Sequence, residues 1–124
     1  MSFLLDTHVL LWWLAGEEIQ ASSAERIANV QARVLVSAAS VWEIAIKRSL
    51  GKIRFAGPVG DAVRREGFDL LVISDLHAED AGALPLHHRD PFDRMIIAQA
   101  KRENLVVVTR DPVFAAYEVS LLHC

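Results

Sequence analysis

At 124 residues, 52% hydrophobic and 23% charged, the chain has enough apolar material for one core and is too apolar for a disordered segment. A formal net charge of −3 excludes a globally basic nucleic-acid binder. The single cysteine, Cys124, excludes an internal disulfide and a cysteine-built metal cluster, and suits a reducing cytoplasm. The apolar run from Phe3 to Leu14 is broken by Asp6, Thr7 and His8 and lacks a basic leader, so neither a membrane span nor a signal peptide is expected. With no repeat, low-complexity tract or long linker, the reading is one domain over residues 1–124.

Phe3-Leu4-Leu5 reads as a buried strand ending at Asp6, followed by a buried helix over Val9–Ala15 that Gly16 stops. Ser22 or Ser23 is placed to cap a second helix carrying Ala24, Ile27, Ala28 and Ala32. Arg33-Val34-Leu35-Val36 is a β-branched run, and a helix follows to about Leu50, with Gly51 as its stop. Pro58 opens a helix ending near Gly67. Leu70–Ile73 reads as a third strand, with Ser74 or Asp75 capping the next helix. After a polar loop over His87–Asp90, Asp90-Pro91 opens an apolar helix. Leu105–Thr109 is a fourth strand, Pro112 breaks the chain, and Val119–Leu122 is a fifth strand at an edge. Strands that are continuously apolar are buried on both faces. Alternated with helices, they predict a three-layer α/β/α sandwich with a central, mainly parallel sheet of about five strands. Ligands of such sheets sit at the carboxyl ends of the strands.

Four acids fall near that edge. Asp6 follows the first strand, Glu43 lies early in the helix after the second, Asp93 is in the first turn of the Pro91 helix, and Asp111 comes two residues after the fourth strand. Each has a local alternative. Ser40 and Glu43 match a capping box, Glu43 and Lys47 can pair at i,i+4, and Asp93 and Asp111 suit helix starts. Asp6 is harder to explain away, because a carboxylate abutting a buried strand is costly unless paired or ligated. Together, four converging carboxylates repel one another. A hard divalent cation relieves that conflict, with Mg2+ the expected ion and Mn2+ a substitute. Holding all four acids on metal would turn the balance from −3 to +1, so phosphate would be drawn by ions and a local basic rim.

The same residues resemble a known family. Leu5-Asp6-Thr7-His8-Val9-Leu10-Leu11-Trp12 is similar to the opening motif of the PIN-domain ribonucleases, specifically the VapC-type toxins of VapBC toxin–antitoxin systems. Ser37–Lys47, His88–Ala100 and Thr109-Arg110-Asp111 resemble the second, third and fourth motifs, in the family's order and across essentially the whole chain. The resemblance implies that Asp6, Glu43 and Asp93 are core catalytic and metal-binding acids and Asp111 a fourth. Asp90 suits a cap better than a ligand and is retained with Thr7 and Thr109 as residues that support the acids. Implied with them are hydrolysis of RNA by metal-activated water, a transfer RNA substrate as the family's expectation, a VapB-type antitoxin, a homodimer and a PIN-like fold.

Three smaller features belong with this reading. Trp12 and Trp13 point about 100° apart on one helix, so one of them is an exposed anchor for a partner or both are half-buried packing residues. His87, His88 and Arg89 read as a solvated loop with a lesser prospect of metal ligation. Lys47, Arg48, Lys52 and Arg54 read as ordinary cations at a helix C-terminus or as contacts to an RNA backbone. The alternative function is a catalytically inactive PIN-like module that binds RNA or protein, but such a module has no need to crowd carboxylates. A haloacid-dehalogenase-type phosphatase needs a second Asp two residues after the first, where this chain has His8.

Overall fold

The computed structural model describes all 124 residues. Five short strands, β1 (Ser2–Leu5), β2 (Arg33–Ser37), β3 (Asp69–Leu71), β4 (Val106–Thr109) and β5 (Leu121–His123), form one sheet in the order β3-β2-β1-β4-β5. Every pairing is parallel, with Leu5 beside Val36 on one side and Val108 on the other. The chain therefore runs outward from β1 to β3, returns to the other side of β1 as β4, and finishes at the edge with β5. That reversal leaves a crevice between the carboxyl ends of β1 and β4.

Alternation along the strands builds the layers. Phe3, Leu5, Val34, Val36 and Val108 face one core, shared with Val9 and Leu10 of α1 (Thr7–Ala15), Ile27 of α2 (Ala21–Ala28), Ile44 of α3 (Ala38–Ser49) and Val59 and Val63 of α4 (Val59–Arg65). Leu4, Leu35 and Val107 face the other, with Ile96, Ile97 and Ala100 of α6 (Pro91–Glu103) and Phe114 and Tyr117 of the 3-10 helix Pro112–Tyr117. Helix α5 (Asp75–Ala83) packs beside α6. Burial on both faces explains why the strands are continuous apolar runs. The observed architecture is the expected α/β/α sandwich, with its sheet wholly parallel.

Local signals place most boundaries. Gly16, at φ 70°, closes α1 by donating its N–H to the carbonyls of Trp12 and Trp13, and Ser74 caps α5. Three expectations fail. Neither Ser22 nor Ser23 caps α2; both lie inside the helix, and Ser23 Oγ donates instead to the His123 carbonyl 2.7 Å away, tying α2 to β5. Ser40 and Glu43 form no capping box, because α3 starts earlier and Ser37 is its cap. The third strand stops at Leu71, so Val72 and Ile73 lie outside it.

Candidate functional site

The first turns of four elements meet at the β1–β4 crevice, and each is fixed by a carboxylate or hydroxyl at its start. Asp6 caps α1, with Oδ1 accepting the His8 N–H at 3.0 Å, while its Oδ2 receives the Thr109 hydroxyl at 2.7 Å. Thr109 Oγ1 in turn accepts the Asp111 N–H at 3.0 Å, and Asp111 Oδ1 accepts the Val113 N–H at 2.9 Å to start the 3-10 helix. Asp90 Oδ1 accepts the N–H groups of Phe92 and Asp93 at 2.8 and 3.1 Å, holding the first turn of α6. Glu43 projects from the middle of α3; Lys47 lies 3.0 Å from its Oε2, and its buried Oε1 has no partner. Thr7 is buried, and its hydroxyl donates to Ser40 Oγ at 2.8 Å rather than to an acid.

Capping and site membership are therefore compatible at Asp6 and Asp111. Asp111 caps through Oδ1, leaving Oδ2 toward the crevice, where it lies 3.5 Å from His88 Nε2. Asp90, by contrast, spends the one oxygen seen bonding on backbone amides, as expected of a cap.

His88 was harder to read from sequence. Its loop is neither open nor merely solvated: the side chain is 19% exposed, and Nε2 lies 2.8 Å from Asp93 Oδ2. Arg94 holds the loop by donating to the carbonyls of Ala81, Leu84, Pro85 and His88, and the Tyr117 hydroxyl accepts the His88 N–H at 2.6 Å. One group of donor atoms, from His88, Asp93 and Asp111, lies within 4.8 Å, a spacing that fits a metal ion. The signal for His88 was its position five residues before Asp93, with Arg94 next to that acid.

Electrostatics separates the acids. Burial works to raise the Asp6 carboxyl, but hydrogen bonds from His8 and Thr109 outweigh it and hold Asp6 below the usual carboxylate range. Asp93 is driven the other way, to about 7, by burial and by the negative charges of Asp6 and Asp90, against the opposing pull of His88. His8, hydrogen-bonded to Asp6, is raised in turn. Two acids within reach of each other's charge are thus shifted in opposite directions, as happens where carboxylates are crowded together.

The remaining sequence candidates are engaged elsewhere. Arg48 donates to the carbonyls of Phe55 and Gly57, closing the loop after α3. Trp12 lies under the Arg110 guanidinium, 4.1 Å from ring centroid to Cζ, and Trp13 packs against Phe68. Both tryptophans are half-buried, as the packing alternative has it. A groove of about 500 Å3 beside them is lined by Leu11, Leu14 and Ala15 of α1 with Phe55 and Arg65.

The PIN domain family profile matches residues 3–119, nearly the whole chain. This chain belongs to the PIN-domain family. Within that family it is 32% identical over 111 residues to Ribonuclease VapC22 of Mycobacterium tuberculosis (strain ATCC 25618 / H37Rv), covering 87% of this chain and 85% of that protein. Its PIN fold is shared with the structure of VapBC2 from Rickettsia felis bound to a DNA fragment from their promoter, at TM-score 0.76 and 13% identity, covering 100% of this chain and 99% of that one. DNA-bound VapBC from Salmonella typhimurium superposes at TM-score 0.71 and 18% identity, covering 99% and 98%. The VapC-type resemblance seen in the motifs is thereby established. No helix of this PIN domain is long and apolar enough to cross a membrane.

Proposed function

We propose that the chain is the toxin of a type II toxin–antitoxin pair, an endoribonuclease that hydrolyses RNA phosphodiester bonds with Mg2+, or Mn2+ in its place, held by Asp6, Glu43, Asp93 and Asp111. One observation carries the reading: burial and the charges of Asp6 and Asp90 push Asp93 to about 7, and one buried Glu43 oxygen is left without a hydrogen-bond partner. A structural role for these acids leaves that cost unexplained, whereas an all-oxygen donor set suits a hard divalent cation. The chemistry a bound cation supplies is positive charge, which eases deprotonation of water near neutral pH and offsets charge gathering on a scissile phosphate.

The protein's own part is positioning. Thr109 and the His8 amide hold Asp6 ionised and oriented. Lys47 fixes one oxygen of Glu43 and leaves the other free. Asp90 sets the first turn of α6, which carries Asp93 into the crevice. The relatives are named as ribonucleases and as VapBC assemblies, which supports RNA, with transfer RNA the first class to test, and a VapB-type antitoxin as partner. A homodimer belongs to the same family reading.

The test is cleavage of RNA by antitoxin-free protein with and without Mg2+ or Mn2+, beside Asp6→Asn and Asp93→Asn. Metal-dependent cleavage lost in both variants is expected. Equal cleavage in all three proteins, or none from folded wild type with either ion across a pool of cellular RNAs, overturns the reading.

A further inference from the structure

We infer that His88 is a nitrogen ligand of the candidate metal centre, binding through Nε2 beside Asp93 and Asp111, and that it shifts the centre's preference from Mg2+ toward Mn2+. The inference rests on the metal-dependent reading above and adds a donor which that reading does not need.

The geometry comes first. Nε2 lies 2.8 Å from Asp93 Oδ2 and 3.5 Å from Asp111 Oδ2, so the ring points between two carboxylates borne by different elements. Its aim is built in. The Tyr117 hydroxyl accepts the His88 amide, Arg94 binds the His88 carbonyl at 3.2 Å, and the ring sits edge-on to Phe114 with centroids 6.3 Å apart. Tyr117 also donates to the Pro85 carbonyl at 2.7 Å, closing the loop from both sides. Placing a histidine merely to shield one acid does not require this much scaffolding. Binding through Nε2 requires the ring proton on Nδ1, so the Asp90 N–H, which approaches Nδ1 at 3.5 Å, the outer limit of a hydrogen bond, gives up that weak contact when the ion binds. Ligation through Nε2 then leaves the ring proton on Nδ1, as is usual for metal-bound imidazole.

A second, separate observation concerns another of the candidate acids. Glu43 is buried and its Oε1 has no hydrogen-bond partner in the protein. Arg94, the cation nearest in sequence to Asp93, has its donors committed to carbonyls.

Donor chemistry gives the selectivity. Mg2+ takes oxygen ligands and holds water firmly, while imidazole suits later first-row ions. Removing His88 is therefore expected to weaken Mn2+ roughly tenfold or more, as loss of a ligand or its support does, and to leave Mg2+ within about twofold.

Pulsed electron paramagnetic resonance of the Mn2+-loaded full-length protein decides it, paired with calorimetric titration of Mn2+ and Mg2+. The wild type is expected to show nitrogen coupling from a coordinated imidazole, lost in His88→Gln and kept in His8→Gln. A wild-type spectrum without nitrogen coupling overturns the inference, as does coupling that survives in His88→Gln or a Mg2+ affinity that falls as far as that for Mn2+. Should His88→Gln not fold, the single replacements of the other four histidines assign the nitrogen by elimination. If the wild type takes up neither ion, the metal-dependent reading itself fails; if both ions bind without nitrogen coupling, only the role of His88 falls.

Discussion

The two ends of helix α6 have been given opposite electrostatic treatment. At its C-terminal end charges are matched: Arg102 meets Asp80 through two contacts of 2.6 and 3.1 Å, and the buried His77 bonds Glu103 at 2.8 Å while its other ring nitrogen accepts the Ser74 N–H. At its N-terminal end Asp90, Asp93, Asp6 and Asp111 gather with two histidines, His8 and His88, and the nearby Arg94 is spent on carbonyls. Each end contains a histidine 2.8 Å from a carboxylate, yet one closes a packing contact between α5 and α6 and the other faces a surplus of acid. A histidine–carboxylate pair by itself says little about function; the charge balance around it says more.

Removing an acid from the surplus end gives the largest expected effect. Asp93→Asn should reduce RNA cleavage at least a hundredfold while making the metal-free protein more stable by about 1 kcal/mol, since an unfavourable charge is gone. Chemical denaturation beside the cleavage assay checks both, and lower stability of the variant at pH 8 would break the contrast. Metal affinity should depend on pH in the same place. With Asp93 at about 7, ion binding displaces a proton below that pH, so Mg2+ affinity should rise close to tenfold per unit from pH 5 to 7 and then level off. Calorimetry in buffers of different ionisation heat measures that proton.

At the matched end the expected loss is of fold, not function. His77→Ala removes a buried ring and its bonds to Ser74, Gln99 and Glu103 and should cost about 2 kcal/mol of stability, leaving metal affinity unchanged. Stability against pH sharpens the comparison further. The folded Asp93 carboxyl titrates near 7, well above an unfolded aspartate, so the folded state keeps a proton that the unfolded state has released. Metal-free protein should therefore lose stability as pH rises from about 4 to about 7, and saturating Mg2+ should abolish that slope. The smallest effect belongs to Arg102→Ala: its pair with Asp80 is exposed, and no measurable change in melting temperature or cleavage is expected.

Much of this was legible in the sequence because it is written in local signals. Continuous apolar runs gave the buried parallel strands, Asp90-Pro91 gave the start of α6, and Gly16 gave the end of α1. Helix α2 was misread at its start because two serines look like caps, and only the distant His123 carbonyl shows what Ser23 is for. The Ser40–Glu43 spacing is a faithful capping box in one dimension, but Ser37 had already begun the helix. His88 reads mainly as a solvated loop residue, with ligation the lesser prospect, for a different reason. Its setting depends on Phe114 and Tyr117, far along the chain, and no pattern within its own loop reports them.

The contact between Thr109 and Asp6 joins residues 103 positions apart, and Asp111 comes later still. A nascent chain emerging from the ribosome holds Asp6, Glu43 and even Asp93 long before it holds the strand that orients the first of them. The crevice is completed only after β4 and Asp111 have followed the other acids out of the ribosome. For a PIN domain proposed to cut RNA, this topology is a built-in delay: the first acid is made long before the site is whole.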